Sequence, residues 1–226
     1  AWFPIGVAGR NRLETETVRT AMESSKTRVL LDRAADGSDS AVRELFHSHR
    51  PRLCRMVQLR MDRRLVGRLD ASDIVQESLA AAYRRLPDYR SERPIGFYPW
   101  IRSIAWNCLV DAYRRHIGAD RRSVKREAAA DIRLNDESAS HLMDRLIDKN
   151  EMIRVTRQEI RSRLLDALDR IPANLREVLA LRFLEQLTVS EAAAVLKITE
   201  GAVKARQVRA LIRLRELLED DAEGTI

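Results

Sequence analysis

Apolar residues recur at three- and four-residue intervals through most of the chain, and runs in which every second residue is apolar are nearly absent. That periodicity predicts amphipathic helices and an all-α fold. A short helix is expected at Val29 to Leu31, ended by Asp36-Gly37-Ser38, with Ser38 or Asp39 capping the next. In that longer helix Val42, Leu45, Phe46, His49, Leu53 and Val57 share one stripe, and Pro51 is placed to kink it. Arg50, Arg52, Arg55 and Arg60 fall mostly on its other faces. In LDASDIVQESLAAAYRRL, Ser72 is expected to cap a helix buried through Val75, Leu79, Ala82 and Leu86. After a loop from Tyr89 to Pro94, Pro99 can start a helix that buries Ile101, Ile104, Ala105, Cys108 and Ala112. Its polar face carries Ser103, Asn107, Asp111 and Arg114.

Periodicity then fades, and 117–156 is expected to be a polar linker. It returns with Ile160, Leu164, Leu165 and Leu168, is interrupted at Pro172, and resumes with Leu175, Val178, Leu179 and Phe183. The expected organisation is therefore two small helical domains, 28–116 and 157–219, flanked by a flexible extension at 1–27 and a fraying tail at 220–226. Because clear periodicity starts just after Met22, that residue is the expected native start.

The most informative stretch is LTVSEAAAVLKITEGAVKARQVRALIRLRELL, Leu187 to Leu218. Thr188 and Glu191 have the spacing of a capping box, and Thr199 with Glu200 offers a second cap two residues after Lys197. Val203, Ala210, Leu211, Leu214 and Leu217 form an inward stripe, which leaves Lys204, Arg206, Arg209, Arg213 and Arg215 on the remaining faces. A short capped helix, a tight turn and a longer basic helix make a helix-turn-helix, whose second helix suits the major groove. The turn is where glycine is common, because a positive φ is needed there, and this chain has Lys197.

Composition adds less. With 226 residues, 45% of them hydrophobic, the chain can build real cores, and 41 Lys and Arg against 34 Asp and Glu suit a polyanionic partner. Cys54 and Cys108 stand far apart without CxxC spacing, so buried, reduced thiols are expected rather than a zinc site or a disulfide. His47 and His49, two apart on a helix, point away from each other, so a shared metal ion is not expected. No cofactor or metal is expected, no apolar run is long enough for membrane insertion, and a cytoplasmic protein is expected. No Gly-rich phosphate loop, HExxH or Ser, His and Asp set points to an enzyme.

Two features carry alternative readings. Asp73, Gln76 and Glu77 cluster on one helix face, either as a solvated surface or as a docking patch for a basic partner. Tyr89, Phe97, Tyr98, Trp100 and Trp106, with Arg102, Arg114 and Arg115 nearby, concentrate aromatics in a chain that is only 5% aromatic. They suit either core packing or the stacking of single-stranded bases.

The stretches ASDIVQES, FYPWIRSIAWNCLVDAYRR and IPANLREVLALRFLEQLTVSEAAAVLKITEGAVKAR together resemble a bacterial RNA polymerase sigma factor of the compact, extracytoplasmic-function type, over about residues 28 to 218. The resemblance implies a region 2 domain and a region 4 helix-turn-helix domain, and names core RNA polymerase and promoter DNA, duplex and melted non-template strand, as partners. An anti-sigma factor is a further candidate partner. Asp73, Gln76 and Glu77 would dock to the clamp helices of the polymerase. The minus ten element would be met by Tyr89, Ser91, Arg93, Trp100, Ser103, Asn107, Asp111, Arg114 and Arg115, with Tyr89 and Asn107 at a pocket for a flipped base and melting driven by binding. The minus thirty-five element would be met by Thr199, Lys204, Ala205, Arg206, Val208, Arg209 and Arg213, of which Arg206 and Arg213 suit phosphates. Lys197, Pro99 and the loop SERPIG depart from the family pattern and leave the promoter sequence open. A regulator that binds duplex DNA without polymerase and a DNA-acting recombinase are the rival readings.

Overall fold

The computed structural model describes residues 25–61, 65, 68–92, 95–117 and 157–223, with the side chains of 117, 157–161 and 220–223 left aside. The expected start at Met22, most of the expected extension, the linker beyond 117 and Arg93 lie outside the described residues. The chain falls into two compact units, 19–133 in one and most of 134–226 in the other. All regular structure among the described residues is helical.

The N-terminal unit contains α1 (25–35), α2 (Asp39–Arg60), α3 (Ala71–Glu92) and α4 (Phe97–Ile117). Helix α1 is longer than the three residues expected, and it takes in 25–27 of the extension expected at 1–27. The physical reason is its partners on α2. Lys26 Nζ lies 2.9 Å from Glu44 Oε1, and Thr27 Oγ1 is 3.1 Å from His49 Nε2. Gly37, at φ 87°, makes the turn, and Ser38 Oγ accepts from the Ala41 N–H, as its spacing predicted. Helix α2 continues through Pro51 and α3 through Pro87. Both prolines lie on exposed faces, where water can reach the carbonyl that each leaves unpaired.

Two boundaries differ from expectation. Helix α3 is capped two residues before Ser72, because Asp70 Oδ1 accepts from the Ser72 N–H at 2.8 Å and Asp70 O accepts from the Asp73 N–H at 3.1 Å. It also runs on to Glu92, so Tyr89 and Ser91 are helical rather than in a loop. Nothing in Asp88 to Ser91 opposes a helix; the conformational restriction comes only with the residue before Pro94. Helix α4 begins at Phe97, which leaves Pro99 in its first turn, where a proline is tolerated. Helices α2, α3 and α4 pack on one another, closing over Leu45, Leu53, Met56, Ile101 and Leu109.

The C-terminal unit contains α5 (Arg157–Arg170), α6 (Ala173–Leu179), α7 (Val189–Leu196) and α8 (Glu200–Glu223). Helix α6 passes into a π turn, Ala180–Leu184, in which the Glu185 N–H reaches Ala180 O at 2.9 Å. That wider turn was not expected. Helix α8 packs on α5 and α6 over Leu164, Leu168, Leu179, Val203, Ala210 and Leu214. It extends through Glu223, so most of the expected tail is helical.

Candidate nucleic-acid and polymerase interfaces

The helix-turn-helix is built as its caps predict. Thr188 Oγ1 accepts from the Glu191 N–H and Glu191 Oε2 accepts from the Thr188 N–H, both at 2.9 Å, a complete capping box at the start of α7. Lys197 then takes the left-handed conformation, φ 56° and ψ 44°, and the Ile198 N–H closes back on Ala193 O at 3.1 Å. Thr199 Oγ1 accepts from the Ala202 N–H at 3.2 Å, which starts α8. Val203, Ala210, Leu214 and Leu217 face inward, while Leu211 is only half-buried. Of the residues expected at the minus thirty-five element, Thr199, Lys204, Ala205, Val208, Arg209 and Arg213 are exposed and Arg206 is half-buried. Arg213 pairs with Glu216 at 2.9 Å, and the Arg209 Nε–H rests on Ala205 O at 3.3 Å. These are exposed, exchangeable contacts.

One stabilising residue was not foreseen. The guanidinium of Arg182, on the π turn, donates from Nε to Gln207 Oε1 at 3.1 Å and from Nη1 to Leu187 O. It therefore joins the π turn, the residue before the α7 cap and the recognition helix. Residues 25 apart in sequence carry no local signal of such a link. The exposure of Ile212 was also missed, although its place off the inward stripe could have shown it.

In the N-terminal unit, Asp73, Gln76 and Glu77 are all exposed on α3. Glu77 Oε2 lies 3.1 Å from Arg115 Nη2, so a residue expected to meet polymerase is paired with one expected to meet DNA. The neighbouring pair is Asp111 Oδ1 with Arg114 Nη1 at 2.8 Å. Ser103, Asn107, Asp111 and Arg115 are exposed and Arg114 is half-buried, so the polar face of α4 is as expected. The Ser103 hydroxyl donates to Trp100 O at 2.6 Å, and exposed Ser91 donates to Asp88 O at 2.8 Å.

Tyr89 requires a correction. It is only 5% exposed, its ring stacks on Trp100 with centroids 4.4 Å apart, and its hydroxyl donates to Ile95 O at 2.9 Å. A base has no access to that ring; Tyr89 instead braces the entry to α4. Phe97 and Tyr98 are buried too, whereas Trp100 and Trp106 are half-buried, so core packing accounts for most of the aromatic stretch. Two cations of this unit are buried: Arg102, and Arg60, whose guanidinium lies 5.5 Å from the Trp106 ring centroid. Arg52 packs similarly, 3.6 Å from the Tyr98 centroid.

His49 is buried against Phe97 and Tyr98, while His47 is exposed. Among the described residues no three His, Cys, Asp or Glu side chains gather as metal ligands, and no helix is long and apolar enough to cross a membrane. Cys54 and Cys108 are free thiols, half-buried rather than buried as expected. Burial pushes the Cys108 thiol up from its ordinary value, with a hydrogen bond to Ser78 opposing the shift.

Sequence comparisons converge on this architecture. Residues 45–117 match the family Sigma-70 region 2, and residues 167–216 match Sigma-70, region 4. The two matches span more than half of the chain and fall on separate units. The ECF RNA polymerase sigma-E factor of Haemophilus influenzae is 27% identical over 199 residues, covering 88% of this chain and 96% of that protein. The ECF RNA polymerase sigma factor BldN of Streptomyces coelicolor is 28% identical, covering 90% and 71%. The fold is shared with a chain in the structure of CnrH in complex with the cytosolic domain of CnrY, at a TM-score of 0.51 and 24% identity, covering 87% of this chain and 99% of that one. Two sigma-70 regions in order, each on its own helical unit, show that the chain belongs to the sigma-70 family as an extracytoplasmic-function sigma factor, which directs RNA polymerase to promoters.

Proposed function

We propose a division of labour among three surfaces. Asp73, Gln76 and Glu77 on α3 dock to core polymerase. The face of α4, with Trp100, Ser103, Asn107, Asp111, Arg114 and Arg115, meets the minus ten element together with Ser91 and Arg93, and Tyr89 acts behind it as a positioning residue. Helix α8 enters the major groove of the minus thirty-five element, where Lys204, Ala205, Val208 and Arg209 face base edges and Thr199, Arg206 and Arg213 face phosphates. The expected domains 28–116 and 157–219 correspond to regions 2 and 4. The chain works by binding rather than by covalent catalysis, and in the cytoplasm with its polymerase. An anti-sigma factor belongs to this reading as a regulator, since CnrH, whose fold is similar, was solved with the cytosolic domain of CnrY.

The observation that carries the proposal is the two-sidedness of α8, with Val203, Ala210, Leu214 and Leu217 closed into the core while Lys204, Arg209 and Arg213 stand in solvent. Separable defects test it. Replacing Asp73 and Glu77 together by Lys should abolish core binding while circular dichroism stays unchanged. Arg209→Ala should keep core affinity and lose about 1–3 kcal/mol of discrimination at one minus thirty-five base pair. Unchanged core affinity in the first variant would remove α3 from the polymerase interface.

A further inference from the structure

Among the described residues of the C-terminal unit, the exposed large apolar side chains are Val208, at 56%, and Ile212, at 52%. Both lie on α8, and helical spacing sets them in one strip with exposed Ala205, on the side away from Val203, Ala210 and Leu214. Lys204 borders this strip on one side, and Arg209 and Arg213 border it on the other. A single exposed valine would need no account. Here the apolar strip runs along the middle of the cationic face, and valine is also a poorer helix former than the Lys or Arg beside it.

We infer that Val208 is a thymine reader, packing its methyl groups against the 5-methyl of a thymine in the minus thirty-five element. This rests on the proposed placement of α8 in the major groove. In that groove thymine alone among the bases offers an apolar group at its edge, and phosphates run along both walls. An apolar centre with cations on either flank matches that cross-section. A short side chain at Ala205 lets the helix approach closely, and Ile212 carries the apolar contact one turn further along the groove. A protein groove would accept the strip but gives no reason for cations on both sides.

The test uses holoenzyme assembled from the full chain and core polymerase, on a promoter selected from a random library. Each thymine of the minus thirty-five duplex is replaced in turn by uracil, which lacks only the methyl group. At one position the wild-type protein should lose about three- to five-fold in affinity, the worth of one buried methyl. Val208→Ala should bind the thymine promoter with a similar loss and no longer distinguish thymine from uracil there. The exchange is at an exposed position and favours the helix, so the fold is kept. The inference is overturned if Val208→Ala still distinguishes the two bases as the wild type does. It is equally overturned if the wild type ignores every uracil while base-pair exchanges in the same element weaken binding, or if Val208→Ala loses core binding without DNA, which would assign the strip to a protein partner. Indifference of the wild type to base-pair exchanges as well would overturn the placement of α8 itself.

Discussion

Lys197 stands where the chain must turn left-handed between α7 and α8, and it does so with a Cβ that disfavours that conformation. A non-glycine residue in that region costs roughly 1–2 kcal/mol, and glycine gives back about 0.4–1 kcal/mol through its freer unfolded chain. Lys197→Gly should therefore raise the stability of the C-terminal unit by about 0.5–1 kcal/mol, readable as a higher denaturation midpoint. Promoter affinity should stay within about two-fold, because the turn geometry is kept; a lower midpoint would show that the lysine side chain makes a contact that outweighs the strain. Residue identity alone makes the tension visible, since the caps on either side locate the turn. Other residues were less legible. Tyr89 carries the same ring whether it stacks on a base or on Trp100, and only the continuation of α3 to Glu92 decides which.

At the scale of elements, local hydrogen-bonding chemistry was readable and long-range pairing was not. The box of Thr188 and Glu191 and the cap at Thr199 involve residues three apart, so spacing is enough to find them. Asp70 displaced Ser72 as the cap of α3 because two neighbouring residues had the right chemistry and the fold used the earlier one. The π turn at Ala180–Leu184 has the apolar spacing of an ordinary helix, and its purpose appears only with Arg182 in place against Leu187 and Gln207. Arg182→Met should leave the Leu187 carbonyl without that donor and cost about 1–3 kcal/mol of stability. In a double-mutant cycle with Gln207→Ala, measured by thermal denaturation, the two losses should fall short of additive by about 0.5–1.5 kcal/mol. Full additivity would mean that the pair does not couple the π turn to the recognition helix.

For the whole molecule, the proposed division of labour has one chain bring three surfaces of different chemistry to one task. The acidic face of α3 and the basic face of α8 sit on separate units. The cations on the polar face of α4 are paired, Arg114 with Asp111 and Arg115 with Glu77 of α3; in the proposed division of labour they meet DNA as those weak surface pairs exchange. A partner that engages Glu77 would release Arg115 from this pair. The most direct measurement is reconstitution of the purified chain with core polymerase on a promoter library, with permanganate reactivity of the non-template strand followed alongside transcript yield. The account predicts transcripts from a defined set of promoters, an unpaired minus ten element without ATP hydrolysis, and loss of both when either promoter element is scrambled. Promoter opening that ignores the minus thirty-five sequence, or transcripts no different from those of core polymerase alone, would contradict it.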